Sequence, residues 1–355
     1  MIFTPADTSD LKAAVRLAGR IFKKPMGKRF PVLFGSANKA HVFVAKDKDD
    51  VVAMTAYLPG SITYGNMKLN VASLGSVCTE KAYRKNNIAT RLLQMAEAKM
   101  LDESTELLII SGDGPLYQRI CATRFGNNIG CMLEAQDVSG EHTDIRNGTI
   151  EDIDILMKLY EKEIPRFIRT KKIFEQLLRG QMHPIADDLY PLDIITVNDT
   201  EKAYVQCEKK SDGDYMMVEE FAGDRKILAA TLPAIAKKHG KKHMVVPFDG
   251  HDALREEISD GTCKRIDQNA SVKILRPVSF NEKMNQLFIK EGLCPVRFRE
   301  EHETFIFETR EKSITFADCH DVHRFVFGNA EDKLYPEWDD YFPIPFVWTN
   351  NLNYV

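Results

Sequence analysis

A seven-residue segment that starts at position 84 has a counterpart at position 225 with four identical residues, and this internal repeat constrains the fold more than any other feature of the sequence. Arg84 to Thr90 aligns without a gap with Arg225 to Thr231, and Arg, Lys, Ala and Thr recur at matching positions. A β-rich run precedes each copy, and apolar residues at helical spacing follow it. The sequence therefore predicts a duplicated domain in which a strand leads through a basic turn into a helix.

The first 145 residues alternate helix and strand patterns. Apolar residues at helical spacing predict a helix over 11–21, after a polar cap region, and a second helix over 88–100. Two β-rich runs flank a charged turn and predict a hairpin. The predicted strands of this part are 41–45, 51–58, 61–64, 67–79 and 107–110, and a helical turn carrying Tyr117 follows the last of them.

The pattern starts again after residue 145. It predicts a helix near 155–159, a strand over 215–221 and a helix over 225–239. Pro233 interrupts this last helical pattern, so the pattern predicts the helix best over the turns before the proline. These elements follow each other in the order seen in the first copy. We interpret them as a second, diverged copy of the same domain.

A third region follows near residue 272. It has a helical pattern around 280–288, β-like runs over 296–307 and 313–316, and a short helical pattern over 322–327. The chain then ends in an aromatic, proline-rich tail, 341–348. Because this tail carries too much apolar surface to stay in water, we expect it to dock on the rest of the protein.

Length and composition agree with several cores and exclude some classes of protein. A chain of 355 residues suits two or three domains, and 44% hydrophobic residues are enough to fill them. Lys plus Arg total 48 against 52 for Asp plus Glu, so there is no basic excess of the kind that nucleic acids or anionic membranes attract. Because we find neither a signal peptide nor an apolar run of about 18 residues, we expect no membrane partner.

The cysteines predict a reducing environment. The seven cysteines are scattered and never form a CxxC pair, so we expect no disulfide framework, no structural zinc site and a cytoplasmic location. Cys319-His320-Asp321-Val322-His323 has residue types that bind metals but lacks a complete ligand set, as does His239 with His243. We therefore predict no metal site.

The segment from Val77 to Thr90 carries the strongest functional signal. A strand leads into a turn rich in Arg and Asn and then into a helix, whose first N–H groups have no intrahelical partner and attract anions such as pyrophosphate. Asn86 and Asn87 can shape the turn because asparagine tolerates left-handed backbone conformations. An ordinary helix start with exposed basic residues is the alternative.

Arg84-Lys85-Asn86-Asn87-Ile88-Ala89 resembles the acyl-CoA signature Q/R-x-x-G-x-G/A of the GNAT superfamily of N-acetyltransferases, with Asn87 in a glycine position. The resemblance implies that strand groups bind the pantetheine arm of acetyl-CoA and that the following turn binds its pyrophosphate. The cofactor-binding residues so implied are Val77, Cys78, Thr79, Arg84, Lys85, Asn86, Asn87, Ile88, Ala89 and Thr90.

Tyr117 extends this resemblance. In many GNAT enzymes a tyrosine after the next strand lies near the sulfur of CoA and acts as general acid, and Tyr117 follows the strand 107–110 at that position. A phenol with an ordinary pKa near 10 can protonate a thiolate at neutral pH. A packing role is the alternative for this side chain.

Two GNAT copies followed by a small C-terminal region resemble the Eis (enhanced intracellular survival) acetyltransferases. The resemblance implies an α/β fold with a catalytic GNAT domain at 1–145, a degenerate second GNAT domain at 146–271 and a sterol-carrier-like α+β domain at 272–355. In the second copy Ile227 and Leu228 put apolar bulk where amides would meet phosphate. The resemblance also implies that the terminal carboxylate, here on Val355, enters the active site as general base.

These residues together predict an enzyme that moves an acetyl group from acetyl-CoA to a primary amine in a direct, ternary-complex reaction. Strand amides near Val77 would stabilise the oxyanion, and an aminoglycoside, polyamine or lysine-like amine is the acceptor that the resemblance implies. The alternative is a non-catalytic CoA- or lipid-binding sensor. A homo-oligomer, a hexamer in the family, is implied by resemblance alone.

Other side chains near the predicted site have ordinary explanations. Cys78 and Cys121 would lie near the thioester, but small buried residues are commoner than acetyl-cysteine nucleophiles. Glu80 could act as base through a water, although a solvated turn residue is the simpler interpretation. The acidic segment 337–340 is interpreted as a solvated loop or as a source of negative charge near an amine-binding cleft.

Overall fold

A computed structural model describes residues 1–138, 142–185, 187–259, 261–302, 304–329 and 335–355. The α-helices, numbered in chain order, are α1 (Thr8–Phe22), α2 (Met26–Arg29), α3 (Ile88–Asp102), α4 (Pro115–Gln118), α5 (Ile153–Tyr160), α6 (Lys171–Gln181), α7 (Arg225–Lys238), α8 (Leu254–Glu257), α9 (Pro277–Lys290) and α10 (Cys319–Phe327). Short 3-10 helices cover Ser36–His41, Lys81–Tyr83, Ile150–Asp152 and Pro336–Trp338. Within the described residues, no helix has both the length and the apolar character needed to cross a bilayer.

The strands, also numbered in chain order, are β1 (Ile2–Pro5), β2 (Val42–Asp47), β3 (Asp50–Tyr64), β4 (Met67–Thr79), β5 (Leu107–Ile110), β6 (Thr123–Arg124), β7 (Asn128–Glu134), β8 (Thr143–Asn147), β9 (Arg166–Phe167), β10 (Leu192–Val197), β11 (Thr200–Lys209), β12 (Tyr215–Gly223), β13 (His243–Asp249), β14 (Thr262–Ile266), β15 (Ser271–Ile274), β16 (Arg297–Glu301), β17 (Thr304–Glu308) and β18 (Ser313–Phe316). The predicted mixed α/β fold is therefore confirmed. The helices and strands predicted for the first copy are all present.

The strands form two large mixed sheets and one small sheet. The first sheet has the order β1-β2-β3-β4-β5-β15-β6, with β9 added to β3, and the second has the order β14-β7-β13-β12-β11-β10-β8. In each sheet one pair is parallel, β4 with β5 and β12 with β13, as expected for two copies of one pattern. The third sheet, β16-β17-β18, is antiparallel.

The two large sheets exchange strands. β7 comes from the first copy but pairs with β13 and β14 in the second sheet, whereas β15 follows the second copy and pairs with β5 and β6 in the first sheet. The division at 1–145, 146–271 and 272–355 stays a proposal. The first part therefore supplies a strand to the second sheet, and the chain that follows the second part supplies a strand to the first sheet.

The local sequence explains why the first helix forms where it does. Asp7 accepts hydrogen bonds from the N–H groups of Ser9 and Asp10, which closes a capping box before α1. Leu11, Ala14, Leu17 and Ala18 then recur at helical spacing and are all buried. This face of α1 packs beside β3 and β4, the strands that carry the candidate site.

The aromatic tail is buried, as the sequence predicts. Trp338, Phe342 and Phe346 are at most 4% exposed and pack with the aromatic residues of α9 and α10. The Tyr64 hydroxyl donates to the carbonyl of Pro345, at 2.8 Å, which ties the tail to the end of β3. A sterol-carrier relationship of this third region stays a prediction.

The expectation of no disulfides is wrong for two pairs. Cys121 is bonded to Cys319, and Cys131 is bonded to Cys263, where β7 and β14 place the two residues directly opposite each other. Both pairs join residues more than 130 positions apart in the chain. Scattered spacing could not reveal them because the tertiary fold alone brings the partners together.

Candidate active site

A β-bulge in β4 shapes the centre of the candidate site. Met54 of β3 pairs with Cys78 and Ala56 pairs with Gly75, so Ser76 and Val77 together oppose one residue, Thr55. Ser76 has a left-handed φ of 57°, which bends the strand at this point. Such bulges re-aim backbone and side-chain groups, and this one lies where the sequence predicts the acetyl-transfer site.

The strands next to the bulge separate. β4 and β5 pair in parallel only as far as Leu74 and Ile110, whereas β4 continues to Thr79. The last contact is a hydrogen bond from the N–H of Ser111 to the carbonyl of Leu74, at 3.0 Å. The edge of β4 beyond Leu74 is therefore not paired with β5, and an extended ligand arm can lie along it.

The last residue of the sequence lies against the bulge. Val355 is 5% exposed and packs with Met54 and Cys78. Gly75 has to be glycine here, because a Cβ atom at this position would overlap the main-chain carbon and oxygen of Val355. The chain end therefore contacts the first copy at the bulge, and its role as general base stays a proposal.

Tyr117 lies on α4, near Cys78 and Tyr354. Pro115 starts this short helix, and a Cβ atom on Gly112 would lie 3.5 Å from Cε2 of Tyr117. Burial, with smaller contributions from the nearby Tyr354 and Cys78, raises the pKa of Tyr117 to about 12. The phenol therefore keeps its proton throughout the neutral range and can donate it.

The basic turn after β4 forms an anion-binding shape. Asn87 is the N-cap of α3 with φ 56° and ψ 16°, the left-handed conformation that its sequence position suggests, and Lys85 also has a positive φ of 66°. Within the described residues no side chain caps this helix, so its first amides are free to meet a ligand. Arg84 is exposed and holds the turn through a hydrogen bond from Nε to the carbonyl of Thr79, at 3.1 Å.

The corresponding turn in the second copy is closed by carboxylates. Asp224 caps α7 by accepting from the N–H groups of Lys226 and Ile227, at 3.0 and 3.1 Å. Arg225, the counterpart of Arg84, makes ion pairs with Glu163 and Asp252. The carboxylate of Asp224 thus occupies the N-terminus of α7. The sequence indicates a changed turn through Ile227 and Leu228, but it does not reveal this cap.

A buried ion pair anchors the chain end. Arg169 and Glu220 form two hydrogen bonds of 2.9 and 2.6 Å, and their side chains are at most 5% exposed. Arg169 also donates to the side chain of Asn353, at 2.7 Å. The sequence analysis did not predict this ion pair. The one sequence feature that indicates it is the occurrence of two adjacent glutamates, Glu219 and Glu220, inside a predicted strand.

Glu219, next to this pair, is the extra residue of a second bulge. Gln206 pairs with Glu220 and Cys207 pairs with Val218, which leaves Glu219 without an opposite residue. Its carboxylate accepts from the side-chain amide of Gln181, at 2.9 Å. Burial, and then repulsion by Glu208, raises the pKa of Glu219 to about 8.

Glu219 joins the chain end to an acidic cavity. Tyr354 lies near both Tyr117 and Glu219, and its hydroxyl hydrogen-bonds Ser111. Glu219 also lines a cavity of about 200 Å³ between the second sheet and the tail. The cavity has acidic and aromatic walls, which include Tyr160, Glu163, Glu220, Phe221, Asp249, Asp252 and Trp348.

The structure thus brings together most of the predicted residues. Val77, Cys78, Tyr117 and Val355 meet around the bulge, and the turn from Arg84 to Thr90 begins five residues beyond Thr79. Glu80 is engaged in an ion pair with Arg20 and is partly exposed.

Sequence reasoning missed the hydroxyl groups of the bulge. Thr55 and Ser76 have buried hydroxyl oxygens without a hydrogen-bond partner among the described residues. A buried unpaired hydroxyl usually marks a place where a water or ligand completes the hydrogen bonding. No local sequence pattern marks a bulge, so these two residues carried no signal.

Comparison with known proteins supports this interpretation. The sequence profile of the acetyltransferase (GNAT) domain family matches residues 3–121, which hold the bulge, the basic turn and Tyr117. No curated protein matches the chain at a significant level. The family match therefore covers one third of the chain and includes the bulge, the basic turn and Tyr117, but neither the chain end nor the acidic cavity.

Solved structures share the fold of nearly the whole chain. A GCN5-related N-acetyltransferase from Anabaena variabilis has a TM-score of 0.66 at 12% identity, over 89% of this chain and 84% of that one. A probable N-acyltransferase from Enterococcus faecalis has 0.65 at 11%, over 92% and 89%. Eis1 from Mycobacterium abscessus has 0.62 at 8%, over 96% and 92%. Residues 3–121 thus match the acetyltransferase (GNAT) domain family, and nearly the whole chain shares its mixed α/β fold with these solved structures.

Proposed function

We propose that the protein transfers an acetyl group from acetyl-CoA to a primary amine while both substrates are bound. The observation that carries this proposal is the meeting of three separate segments at one bulge: the amides of β4, the phenol of Tyr117 and the end of the chain at Val355. Holding two reactants together in such a site contributes roughly 7–11 kcal/mol at best to lowering the barrier.

A direct reaction is favoured over an acetyl-cysteine intermediate. Cys78 is the cysteine next to the bulge, and burial raises the pKa of its thiol to about 12. A nucleophilic cysteine needs the thiolate form, and this environment opposes it. Cys121 is engaged in a disulfide and has no free thiol.

The first copy fits acetyl-CoA. We assign the pantetheine arm to the open edge of Val77, Cys78 and Thr79 and the pyrophosphate to the turn from Arg84 to Thr90, where the helix N-terminus is uncapped. Acetyl-CoA supplies a thioester that amines can attack. Because Asp224 already occupies the corresponding amides in the second copy, we propose one such site per chain and a degenerate second domain.

Three groups of the chain act on the reacting atoms in this proposal. The Val355 carboxylate takes the proton from the amine. Backbone N–H groups at the bulge, with the unpaired hydroxyl of Ser76 beside them, donate to the oxygen on which negative charge develops. Tyr117 gives its proton to the departing sulfur.

The acceptor that fits this site is a cationic amine. Five acidic side chains line the cavity, Glu163, Glu219, Glu220, Asp249 and Asp252. Arg225 pairs with Glu163 and Asp252, and Arg169 pairs with Glu220. Glu219 adds negative charge as the pH rises towards its pKa of about 8. Aromatic walls add favourable faces for a cation. Polyamines and aminoglycosides carry a second positive charge that this cavity could hold while a neighbouring amine is acetylated, whereas a lysine side chain offers a single amine.

Replacing Tyr117 by Phe tests the proposal. Loss of a general acid is expected to lower kcat by roughly 10²–10⁴-fold while acetyl-CoA binding stays the same. Acetylated product would be measured by mass spectrometry with panels of polyamines and aminoglycosides. Tyr83→Phe is the matched control, because the Tyr83 hydroxyl contacts Asp47 and lies outside the proposed reaction site.

Two results would contradict the proposal. An unchanged kcat in Tyr117→Phe would remove the proposed acid. Tight acetyl-CoA binding without acetylation of any amine in the panels would favour the alternative, a CoA-binding sensor. A cytoplasmic location and a homo-oligomer stay predictions, and light scattering would measure the oligomeric state.

A further inference from the structure

Cys121 and Cys319 connect the candidate site to the third region. They are 198 residues apart in sequence, and their Cα atoms lie 6.2 Å apart, within the usual range for a disulfide. Cys121 follows α4, and Cys319 is the first residue of α10. The pair Cys131–Cys263 differs, since it joins two strands that already hydrogen-bond to each other.

The Cys121 end belongs to the turn that positions Tyr117. The carbonyl of Tyr117 accepts from the N–H groups of Ile120 and Ala122, both at 3.0 Å, and Cys121 donates to the carbonyl of Gln118, at 3.0 Å. Cys121 has a left-handed φ of 67°, which a non-glycine residue adopts only when its surroundings hold it there. A bond from this residue to α10 therefore restrains the backbone at Tyr117.

The Cys319 end lies at a helix terminus, close to a histidine. Cys319 is the first residue of the nine-residue helix α10 and follows the N-cap Asp318, whose side chain accepts from the N–H of His320. A ring nitrogen of His320 lies within 4.8 Å of both sulfurs. Cys319 and Cys121 are both partly exposed, whereas Cys78 and Cys207 are buried and the pKa of each thiol is raised.

We propose that Cys121 and Cys319 form a reversible thiol–disulfide switch that controls the position of Tyr117. A small dithiol reduces the bond: two electrons and two protons pass to the cysteines, the S–S bond breaks, and the dithiol becomes a cyclic disulfide. The oxidised form holds the Tyr117 turn against α10 and is the more active one. The effect on activity rests on the proposed acetyl transfer, whereas the bond and its effect on the turn do not.

The test compares protein equilibrated in oxidised and in reduced dithiothreitol. Tryptic digestion of the alkylated, oxidised protein is expected to release peptide 120–124 linked to peptide 313–324. Hydrogen exchange of the segment 111–124 is expected to be at least threefold faster after reduction. The kcat for amine acetylation is expected to fall at least threefold, with little change in the KM for acetyl-CoA.

Two serine variants make the test specific. Cys319→Ser is expected to show the reduced behaviour in both buffers, and Cys263→Ser, which opens the other disulfide, is expected to respond like the parent protein. The exchange measurement needs no substrate, so it separates failure of the switch from failure of the proposed function. If no amine is acetylated but exchange responds as expected, the switch stands and the function fails.

Three results would overturn the switch. One is absence of the linked peptide from the oxidised protein. Another is exchange over 111–124 that is the same in both buffers. The third is stoichiometric zinc that protects both thiols from oxidation until it is chelated, since Cys121, Cys319 and His320 would then be metal ligands.

Discussion

Glu219 shows how the environment of one residue can create a pH-sensitive group. Its folded pKa of about 8 lies above the ordinary value of 4.5 because the carboxyl is buried, and because Glu208 adds repulsion. An acid with a raised folded pKa contributes stability that is fully present below pH 4.5 and is lost as pH rises towards 8. The loss amounts to at most about 5 kcal/mol.

Glu219→Gln is therefore expected to change both stability and amine recognition. Relative to the parent protein, urea unfolding should show the variant gaining stability as pH rises from 4.5 to 8. For a dicationic amine, kcat/KM should fall roughly 10–100-fold above pH 8, since one charge-assisted contact of about 1.5–3 kcal/mol is lost. Equal pH profiles for variant and parent would show that Glu219 neither titrates in this range nor meets the acceptor.

The helices and strands show which parts of the fold the sequence predicts well. Periodicity predicts α1, α3 and the long strands β3 and β4, because their apolar residues recur at regular intervals. It also predicts a helix from residue 225, and α7 continues through Pro233 to Lys238. Local patterns cannot predict the exchange of β7 and β15, since pairing partners are chosen by the whole fold.

The candidate site also has features that the sequence predicts and features that it does not. A strand, a basic turn and a helix in sequence predict the anion-binding turn, and the left-handed Asn87 agrees with its place in the motif. The bulges that place Ser76 and Glu219 depend on how neighbouring strands pair, so the sequence does not reveal them. The same holds for the two disulfides.

The contact between β4 and the chain end gives a prediction at the scale of elements. In Gly75→Ala the new methyl group would overlap Val355 and push the chain end out of the site. We expect kcat to fall at least tenfold, with acetyl-CoA binding retained. Gly60→Ala is the matched control on the neighbouring strand, because its Cβ atom would make only an ordinary contact of 3.8 Å with Val71. Equal activity of the two variants would contradict a catalytic role for the chain end.

Across the whole molecule, the tail and the residues that follow it to Val355 contact all three parts of the chain. The aromatic residues of the tail pack in the core of the third region, and the N–H of Phe346 donates to Asp249 of the second sheet at 3.1 Å. Val355 packs against the first copy. Gln268 holds the middle of this path through hydrogen bonds with Val347 and Thr349. The tail thus couples the stability of the third region to the geometry of the site.

The Arg169–Glu220 pair should therefore matter to the stability of the whole protein. Arg169→Met leaves Glu220 buried without its partner, which is expected to cost about 3–5 kcal/mol of unfolding free energy in urea. Arg146→Met is the control, because the Arg146–Asp152 pair is partly exposed and such pairs contribute about 1 kcal/mol or less. Similar losses in the two variants would contradict an anchoring role for the buried pair.

The central claim is that the first copy alone binds acetyl-CoA, and calorimetric titration of the intact chain tests it most directly. We predict one site per chain, binding at least tenfold weaker in Arg84→Glu, and unchanged binding in Lys226→Glu, which alters the equivalent turn of the second copy. Absence of binding, two equal sites per chain, or equal affinity in Arg84→Glu and the parent protein would contradict the account.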